Sequence, residues 1–164
     1  IMRSVLNWYV LGFGLLASVS SFAESGSYKV VAMSAIEFKS IETNDGSLAS
    51  GHMTTVSTVS EGSGILKTGM VGTGDCIVQV VTHSSGKDIS ATCSMHYVDL
   101  ESKLFMSFDR KSGDIATSGA KGDGLGKIVG GTGKLSGISG SCAYTIKYID
   151  ANRSVTMQDC NYSL

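Results

Sequence analysis

The 164-residue sequence contains no proline, and only 16% of its residues carry a charge. Its 13 Lys and Arg residues are scattered along the chain and face 14 Asp and Glu residues. A nucleic-acid-binding protein instead concentrates basic side chains on one face, where they contact phosphates. The charge distribution therefore gives no support to a nucleic-acid partner, and we expect none.

Long hydrophobic runs are also missing. The apolar segment at residues 5–17 is shorter than the roughly 20 residues that a membrane-spanning helix needs. A basic residue precedes this segment, and the small residues Ser21 and Ala23 follow it, which is the pattern of a secretory signal peptide. We therefore predict a bacterial signal peptide over residues 1–23, cleaved after Ala23. The remaining residues 24–164 are expected to form one periplasmic or secreted domain without a membrane span.

Catalytic signatures of fixed spacing are absent as well. The Gly-rich run IVGGTGKLSGISGSCAY at residues 128–144 fails the P-loop pattern, because Leu135 follows Gly133-Lys134 where Ser or Thr is required. It also fails the dinucleotide-binding pattern, because Ser136 occupies the third glycine position. Serine β-lactamase-like fragments are present but in the wrong order, and no G-x-S-x-G elbow occurs. No catalytic residue is assigned on this basis, and no cofactor is expected.

Four cysteines fall into two groups of similar spacing, Cys76 with Cys93 and Cys142 with Cys160. Each group brackets a turn signal, HSSGKD in the first and IDANRS in the second. If each turn closes a hairpin, each cysteine lies opposite or nearly opposite its partner, so we favour the disulfides Cys76–Cys93 and Cys142–Cys160 among the three possible pairings. Zinc is the rival interpretation, but there is neither a C-x-x-C pair nor a histidine at ligand spacing, and we expect no metal.

Strand and turn residues dominate the rest of the chain. Short runs rich in Val, Ile, Thr and Tyr alternate with turn signals, and 21 glycines are present. Eight candidate strands begin near residues 28, 52, 65, 76, 89, 103, 143 and 154. A mobile loop is expected within residues 114–133, before a further strand at GKIVG. Even spacing without a helical period favours an all-β fold, an eight-stranded antiparallel β-barrel or a sandwich.

One group of polar residues stands out as a candidate binding site. His96 is the best placed of three histidines, with Tyr97 beside it and Asp109 and Arg110 on the probable partner strand. We predict that these residues and Tyr144 contribute to a polar patch in the barrel mouth that orients a mainly apolar ligand. The alternative is a solvated rim with no ligand.

The run VGGTGKLSGISG at residues 129–140 resembles a Gly-Gly-Thr-Gly-Lys signature of dirigent proteins and allene oxide cyclase-like barrels. The end of the chain is also similar to exported bacterial proteins with a GSCxY…NR.VT…C arrangement. The positions that match this arrangement are Gly140-Ser141-Cys142, Tyr144, Asn152-Arg153, Val155-Thr156 and Cys160. The resemblance covers roughly the last third of the chain, and Leu135 replaces the usual aromatic residue.

This resemblance implies an eight-stranded antiparallel barrel with a largely apolar cavity, of the calycin-like or allene oxide cyclase-like kind. It also implies activities that steer or cyclise small reactive molecules without a cofactor, and trimers among the plant members. The plant catalytic residues lie outside the matched segment, so none is transferred to this chain.

Three functional hypotheses follow. The first is a binding module for a small, mainly apolar ligand inside the barrel. The second is a cofactor-free cyclase or isomerase of the dirigent or allene oxide cyclase type, with Tyr97, Asp109, Arg110 and Tyr144 as the residues to test. The third is a structural, envelope-associated protein, a homo-oligomer that functions through the outer surface of its barrel.

Overall fold

Inward and outward side chains alternate along the strands of the computed structural model, which describes residues 24–164. In the first strand, for example, Val30, Ala32 and Ser34 are buried, whereas Val31 and Met33 are exposed. The strands are β1 (Ser25–Thr43), β2 (Gly46–Gly62), β3 (Val71–His83), β4 (Gly86–Tyr97), β5 (Ser102–Gly113), β6 (Lys121–Gly131), β7 (Ser139–Tyr148) and β8 (Arg153–Ser163).

The eight strands form a closed antiparallel barrel in which each strand pairs with its neighbours in sequence and β8 pairs with β1. The predicted all-β, eight-stranded antiparallel β-barrel is therefore confirmed, and the sandwich alternative is wrong. Among the described residues, helix is confined to two short 3-10 turns, Val98–Leu100 and Gly133–Leu135. The predicted signal peptide lies outside the described residues. Within residues 24–164, no helix has the length and apolar character needed to cross a membrane.

The two ends of the barrel differ. At the end that we call the floor, the connections at residues 63–70, 98–101 and 132–138 fold over the barrel opening. These connections bury four aliphatic side chains in the main core, Leu66, Leu100, Leu135 and Ile138. The opposite end, which we call the mouth, has only the connections at residues 44–45, 84–85, 114–120 and 149–152. The floor is therefore plugged by apolar side chains, and open space remains toward the mouth.

Both predicted disulfides are confirmed. Cys76 lies directly opposite Cys93 in the β3–β4 pair, with a Cα–Cα distance of 4.1 Å. Cys142 lies directly opposite Cys160 in the β7–β8 pair, at 4.0 Å. All four cysteines point into the barrel and are buried. Each disulfide therefore joins two adjacent strands from the inside of the barrel.

Two strand predictions need correction. The segment predicted as a strand near residue 65 is the connection between β2 and β3, where Gly64 and Gly69 adopt φ values of 69° and 89°. Such left-handed backbone ends a strand and favours glycine. The eighth strand is instead β6, which contains the predicted strand at GKIVG, residues 126–130, but begins earlier, at Lys121, in the region that we expected to contain the mobile loop. The loop itself is confined to residues 114–120.

Candidate functional site

The mouth half of the barrel contains a cavity. The space open to the centre of a water-sized sphere is ≈ 80 Å³. Side chains from every strand except β6 line this space, together with Ile115 from the connection at residues 114–120. The cavity therefore has the size of a small ligand and is built mainly by strands rather than by loops.

The mouth half of the inner face of β6 carries glycine instead of side chains. Gly122, Gly124 and Gly126 are buried inward positions there, and Ile128 occupies the next inward position, toward the floor. A Cβ at Gly124 would come within 2.6 Å of the Tyr144 ring, and one at Gly126 within 2.7 Å of the Phe108 ring. Large side chains from β5 and β7 thus lie across β6 and occupy the space in front of it. Because glycine has no side chain, these large side chains can lie against β6 and line the cavity.

One wall of the cavity is apolar and the other is mixed. The apolar wall includes Ile36, Met53, Val78, Ile89 and Ala91. The mixed wall combines the aromatic rings of β5 and β7 with the polar side chains Ser154, Thr156 and Gln158 of β8. Ser34 and Thr55 add two hydroxyl groups from β1 and β2, the strands that carry Ile36 and Met53. A mainly apolar cavity with a few polar groups on one side is the usual composition of a small-molecule site.

Arg110 is the only charged side chain among the residues that line the cavity. Its Nη1 donates to the carbonyl oxygen of Asp114 at 2.9 Å. Its Nε and Nη2 donate to the hydroxyl oxygens of Tyr144 and Tyr148 at 3.4 Å and 3.3 Å, and its Cζ lies 6.0 Å from the centroid of the Tyr148 ring. Arg110, Tyr144 and Tyr148 therefore form one cluster at the mouth, which we call the arginine–tyrosine cluster.

No carboxylate of residues 24–164 forms an ion pair with Arg110. Asp114, the acidic residue nearest along the chain on the mouth side, is engaged elsewhere, because its Oδ1 accepts from Lys87 Nζ and from the Ile115 amide, each at 2.8 Å. These hydrogen bonds, with the one from Lys87 first, lower the pKa of Asp114. The half-buried Arg110 guanidinium thus keeps a positive charge that no neighbouring carboxylate neutralises directly.

Burial also changes the acidity of the tyrosines in the cavity. It raises the pKa of Tyr97 strongly and raises the pKa of Tyr144, where the hydrogen bond from Arg110 offsets part of the effect. Both phenols are therefore protonated at neutral pH and are available as hydrogen-bond donors rather than as bases. Chemically, the site can bind and polarise a ligand through a cation and phenolic hydroxyls.

The structure brings together only part of the predicted polar patch. Arg110 and Tyr144 meet at the mouth, and Tyr97 lines the cavity from the floor side. His96 and Asp109 point outward. His96 pairs with Lys103 whereas Asp109 pairs with Ser90, so the two are separated by six residues along the strands, or about 20 Å. The expectation that His96 and Asp109 form one patch with Arg110 in the barrel mouth is therefore wrong.

Sequence reasoning did not identify Tyr148, the third member of the arginine–tyrosine cluster. Its spacing from Tyr144 is the available signal, because residues four apart on a strand share a face. Within residues 24–164, His, Cys, Asp and Glu side chains form no group of three or more that is placed to hold a metal ion. No protein-family model, curated protein or solved structure matches the chain.

Proposed function

We propose that this protein is an exported β-barrel that binds a small, mainly apolar ligand in its interior. The observation that carries the proposal is the cavity between the plugged floor and the mouth, with an apolar wall facing a few polar side chains. Two disulfides are consistent with export to an oxidising compartment. The proposal includes the signal peptide over residues 1–23 and a periplasmic or secreted location.

The size of the cavity sets the scale of affinity. Burying one methylene group contributes about 0.8 kcal/mol, so a six-carbon alkyl chain gains roughly 5 kcal/mol from apolar contact. That gain corresponds to a dissociation constant of roughly 0.3 mM before the costs of ordering the ligand. A purely apolar ligand is therefore expected to bind weakly, and tighter binding requires a polar anchor.

The test is a titration of the oxidised protein with 1-hexanol, followed by backbone amide chemical shifts. We expect saturable shifts confined to residues around the cavity, such as Val78, Ile89 and Ala91. Filling the cavity with Ala91→Phe should abolish these shifts. Ala143→Phe, on the outer face of β7, is the matched control and should retain them. Linear, non-saturating shifts in the wild-type protein would contradict the proposal.

A cofactor-free cyclase or isomerase of the dirigent or allene oxide cyclase type is the second candidate. The orientation of Tyr97, Arg110 and Tyr144 into the cavity favours it, because a cation and phenols can stabilise negative charge that develops on a ligand oxygen. Asp109, the fourth residue of that hypothesis, faces outward. Consumption of 1,2-epoxyhexane faster than in buffer, and its loss in Tyr144→Phe, would support this candidate. Equal rates with and without protein would remove it.

An oligomer that works through its outer surface is the third candidate. Met33 pairs with Val56 on β2 and with Val155 on β8, and the neighbouring Val31 pairs with Met157. Met33 and Met157 are 62% and 59% exposed, respectively. These five residues form an outer apolar patch of the kind that often marks a contact surface. The patch favours self-association of this barrel, which light scattering tests directly.

A further inference from the structure

We infer that the interior ligand carries a carboxylate, and that the arginine–tyrosine cluster of Arg110, Tyr144 and Tyr148 holds this group at the mouth while an apolar tail fills the cavity. This inference rests on the proposed interior binding function and adds the chemical class of the ligand. It concerns a site that accepts a single negative charge.

The cluster has more hydrogen-bond donors than acceptors. An arginine side chain has five N–H donors, and three of those of Arg110 have partners in Tyr144, Tyr148 and the Asp114 carbonyl. Two N–H groups of Arg110 therefore have no partner among residues 24–164. Their natural complement is an acceptor with two oxygen atoms, such as a carboxylate.

The two tyrosine hydroxyls add to this excess. Both hydroxyl oxygens accept from Arg110, so the hydroxyl hydrogens of Tyr144 and Tyr148 must point elsewhere. Neither hydroxyl donates to another group within the part of the chain that the structure describes. Tyr148 is buried at 4% exposure, and bulk water therefore reaches it poorly. Up to four donors of the cluster thus have no acceptor within residues 24–164.

The surrounding charges leave this region positive. Asp114 is paired with Lys87, and Asp150 at the same end of the barrel is paired with Arg153 at 2.6 Å. Asp109 precedes Arg110 on β5 and pairs with Ser90 on β4, and its side chain points to the outside of the barrel. Asp114 and Asp150 are therefore paired with other cations, Asp109 is directed away from the cavity, and Arg110 remains the one charged side chain of the cavity lining within residues 24–164.

The number of charges in the cavity lining favours a carboxylate over a phosphate. A phosphate monoester carries nearly two negative charges at neutral pH, whereas the cavity lining supplies one cation. A singly charged, planar group matches the guanidinium edge of Arg110 and the phenolic donors beside it. The apolar wall opposite, formed by residues such as Val78 and Ile89, accommodates the tail. The ligand class is therefore a short-chain aliphatic carboxylate.

The test compares hexanoate with 1-hexanol on the oxidised protein, by titration calorimetry and by amide chemical shifts. The two probes share an alkyl chain and differ in the head group. We expect hexanoate to bind at least about tenfold more tightly than 1-hexanol, since a charge-assisted hydrogen bond is worth more than a neutral one. Arg110→Gln should remove this preference, so that hexanoate and 1-hexanol bind this variant with affinities within about threefold of each other.

Two further variants make the outcome decisive. Lys147→Gln removes an exposed cation beside Tyr148 on β7 that forms no ion pair within residues 24–164, and it should leave the preference unchanged. The double variant Tyr144→Phe/Tyr148→Phe keeps the charge of Arg110 and should lose part of the preference, so the inference is testable even if Arg110→Gln does not fold. Saturable binding of 1-hexanol without a preference for hexanoate would overturn this inference and leave the proposed function standing. Absence of saturable binding by either probe would overturn both.

Discussion

The guanidinium of Arg110 lies directly over the backbone of Gly122, such that a Cβ at Gly122 would come within 2.9 Å of Arg110 Cζ. The same Cβ would come within 2.8 Å of the backbone oxygen of Ser112. A residue other than glycine at this position therefore displaces the arginine or the neighbouring strand. The position of the cavity's cation depends on the half of β6 near the mouth, where the inward positions Gly122, Gly124 and Gly126 have no side chain.

Substitution of Gly122 tests this dependence. We expect Gly122→Ala to lower the free energy of unfolding by about 1–3 kcal/mol, because it overpacks a filled interior. It should also weaken hexanoate binding more than 1-hexanol binding, because the guanidinium is displaced. Lys127→Ala on the outer face of β6 is the control and should change stability by less than about 0.5 kcal/mol. Urea unfolding gives the first effect and calorimetry the second. If Gly122→Ala behaves like the wild-type protein in both assays, the position of Arg110 does not depend on the absence of a side chain at residue 122.

Two tyrosines in the floor are expected to respond in opposite directions to removal of their hydroxyl groups. The Tyr28 hydroxyl is buried and has no hydrogen-bond partner within residues 24–164. The Tyr162 hydroxyl donates to the Ser63 carbonyl at 2.7 Å and accepts from the Ile65 amide at 2.9 Å. Because an unpaired buried polar group costs about 1–3 kcal/mol, Tyr28→Phe should raise the free energy of unfolding, and Tyr162→Phe should lower it by about 1 kcal/mol or more. Urea denaturation of the two variants side by side is the measurement, and a fall in stability for both would refute the assignment of Tyr28.

The buried phenols also predict a loss of stability at alkaline pH. Burial raises the pKa of Tyr28 and Tyr97 above the ordinary value of 10.0. Above about pH 10 the unfolded chain releases these protons while the folded chain retains them, so the free energy of unfolding falls as pH rises. The slope is up to about 1.4 kcal/mol per pH unit for each tyrosine, and these two groups contribute no slope well below pH 10. Tyr28→Phe should reduce this slope by the contribution of one tyrosine. Urea denaturation at pH values below and above 10 measures the slope in both proteins. An unchanged slope in Tyr28→Phe would show that Tyr28 does not hold its proton in this way.

The two disulfides are expected to differ in their effect on the cavity. Each closes a short segment, with sequence separations of 17 and 18 residues, so removal of either should cost about 3 kcal/mol of stability. Cys76 and Cys93 line the cavity, whereas Cys142 and Cys160 do not. Cys76→Ala/Cys93→Ala should therefore change the affinity for 1-hexanol, and Cys142→Ala/Cys160→Ala should leave it near the wild-type value. Thermal unfolding and titration of both double variants check this expectation. Identical effects on 1-hexanol binding would argue against the cavity's position.

The outer apolar patch around Met33 and Met157 predicts self-association. Replacing both residues with lysine places two charges on the surface where a second barrel would pack, and should shift an oligomeric species to the monomer. The interior cavity is on the other side of the sheet, so 1-hexanol binding should be unchanged. Light scattering of the wild-type protein and of Met33→Lys/Met157→Lys is the measurement. A wild-type protein that is monomeric at all concentrations would remove this candidate.

Local features of the fold were predictable from the sequence. Each disulfide follows from a cysteine pair placed symmetrically about a turn, because His83 pairs with Gly86 and the register then brings Cys76 opposite Cys93. Arg110 and Tyr144 were identified as candidate binding residues, and both line the cavity. Hairpin register depends on neighbouring segments alone, and this is why spacing could predict it.

Features that depend on barrel closure were not predictable in the same way. The alternating glycines Gly122, Gly124 and Gly126 have the two-residue period of a strand, but glycine lowers strand propensity and the region therefore resembled a loop. Their role becomes visible only when β5 and β7 lie on either side of β6. Likewise, the orientation of Asp109 away from the cavity follows from which face of β5 is enclosed when the barrel closes.

The most direct test of interior binding is a crystal structure of the oxidised protein grown with hexanoate. We expect density for the alkyl chain against Val78 and Ile89, with the carboxylate at the arginine–tyrosine cluster. A barrel whose interior is filled by its own side chains, with hexanoate bound only on the outer surface, would contradict the central claim.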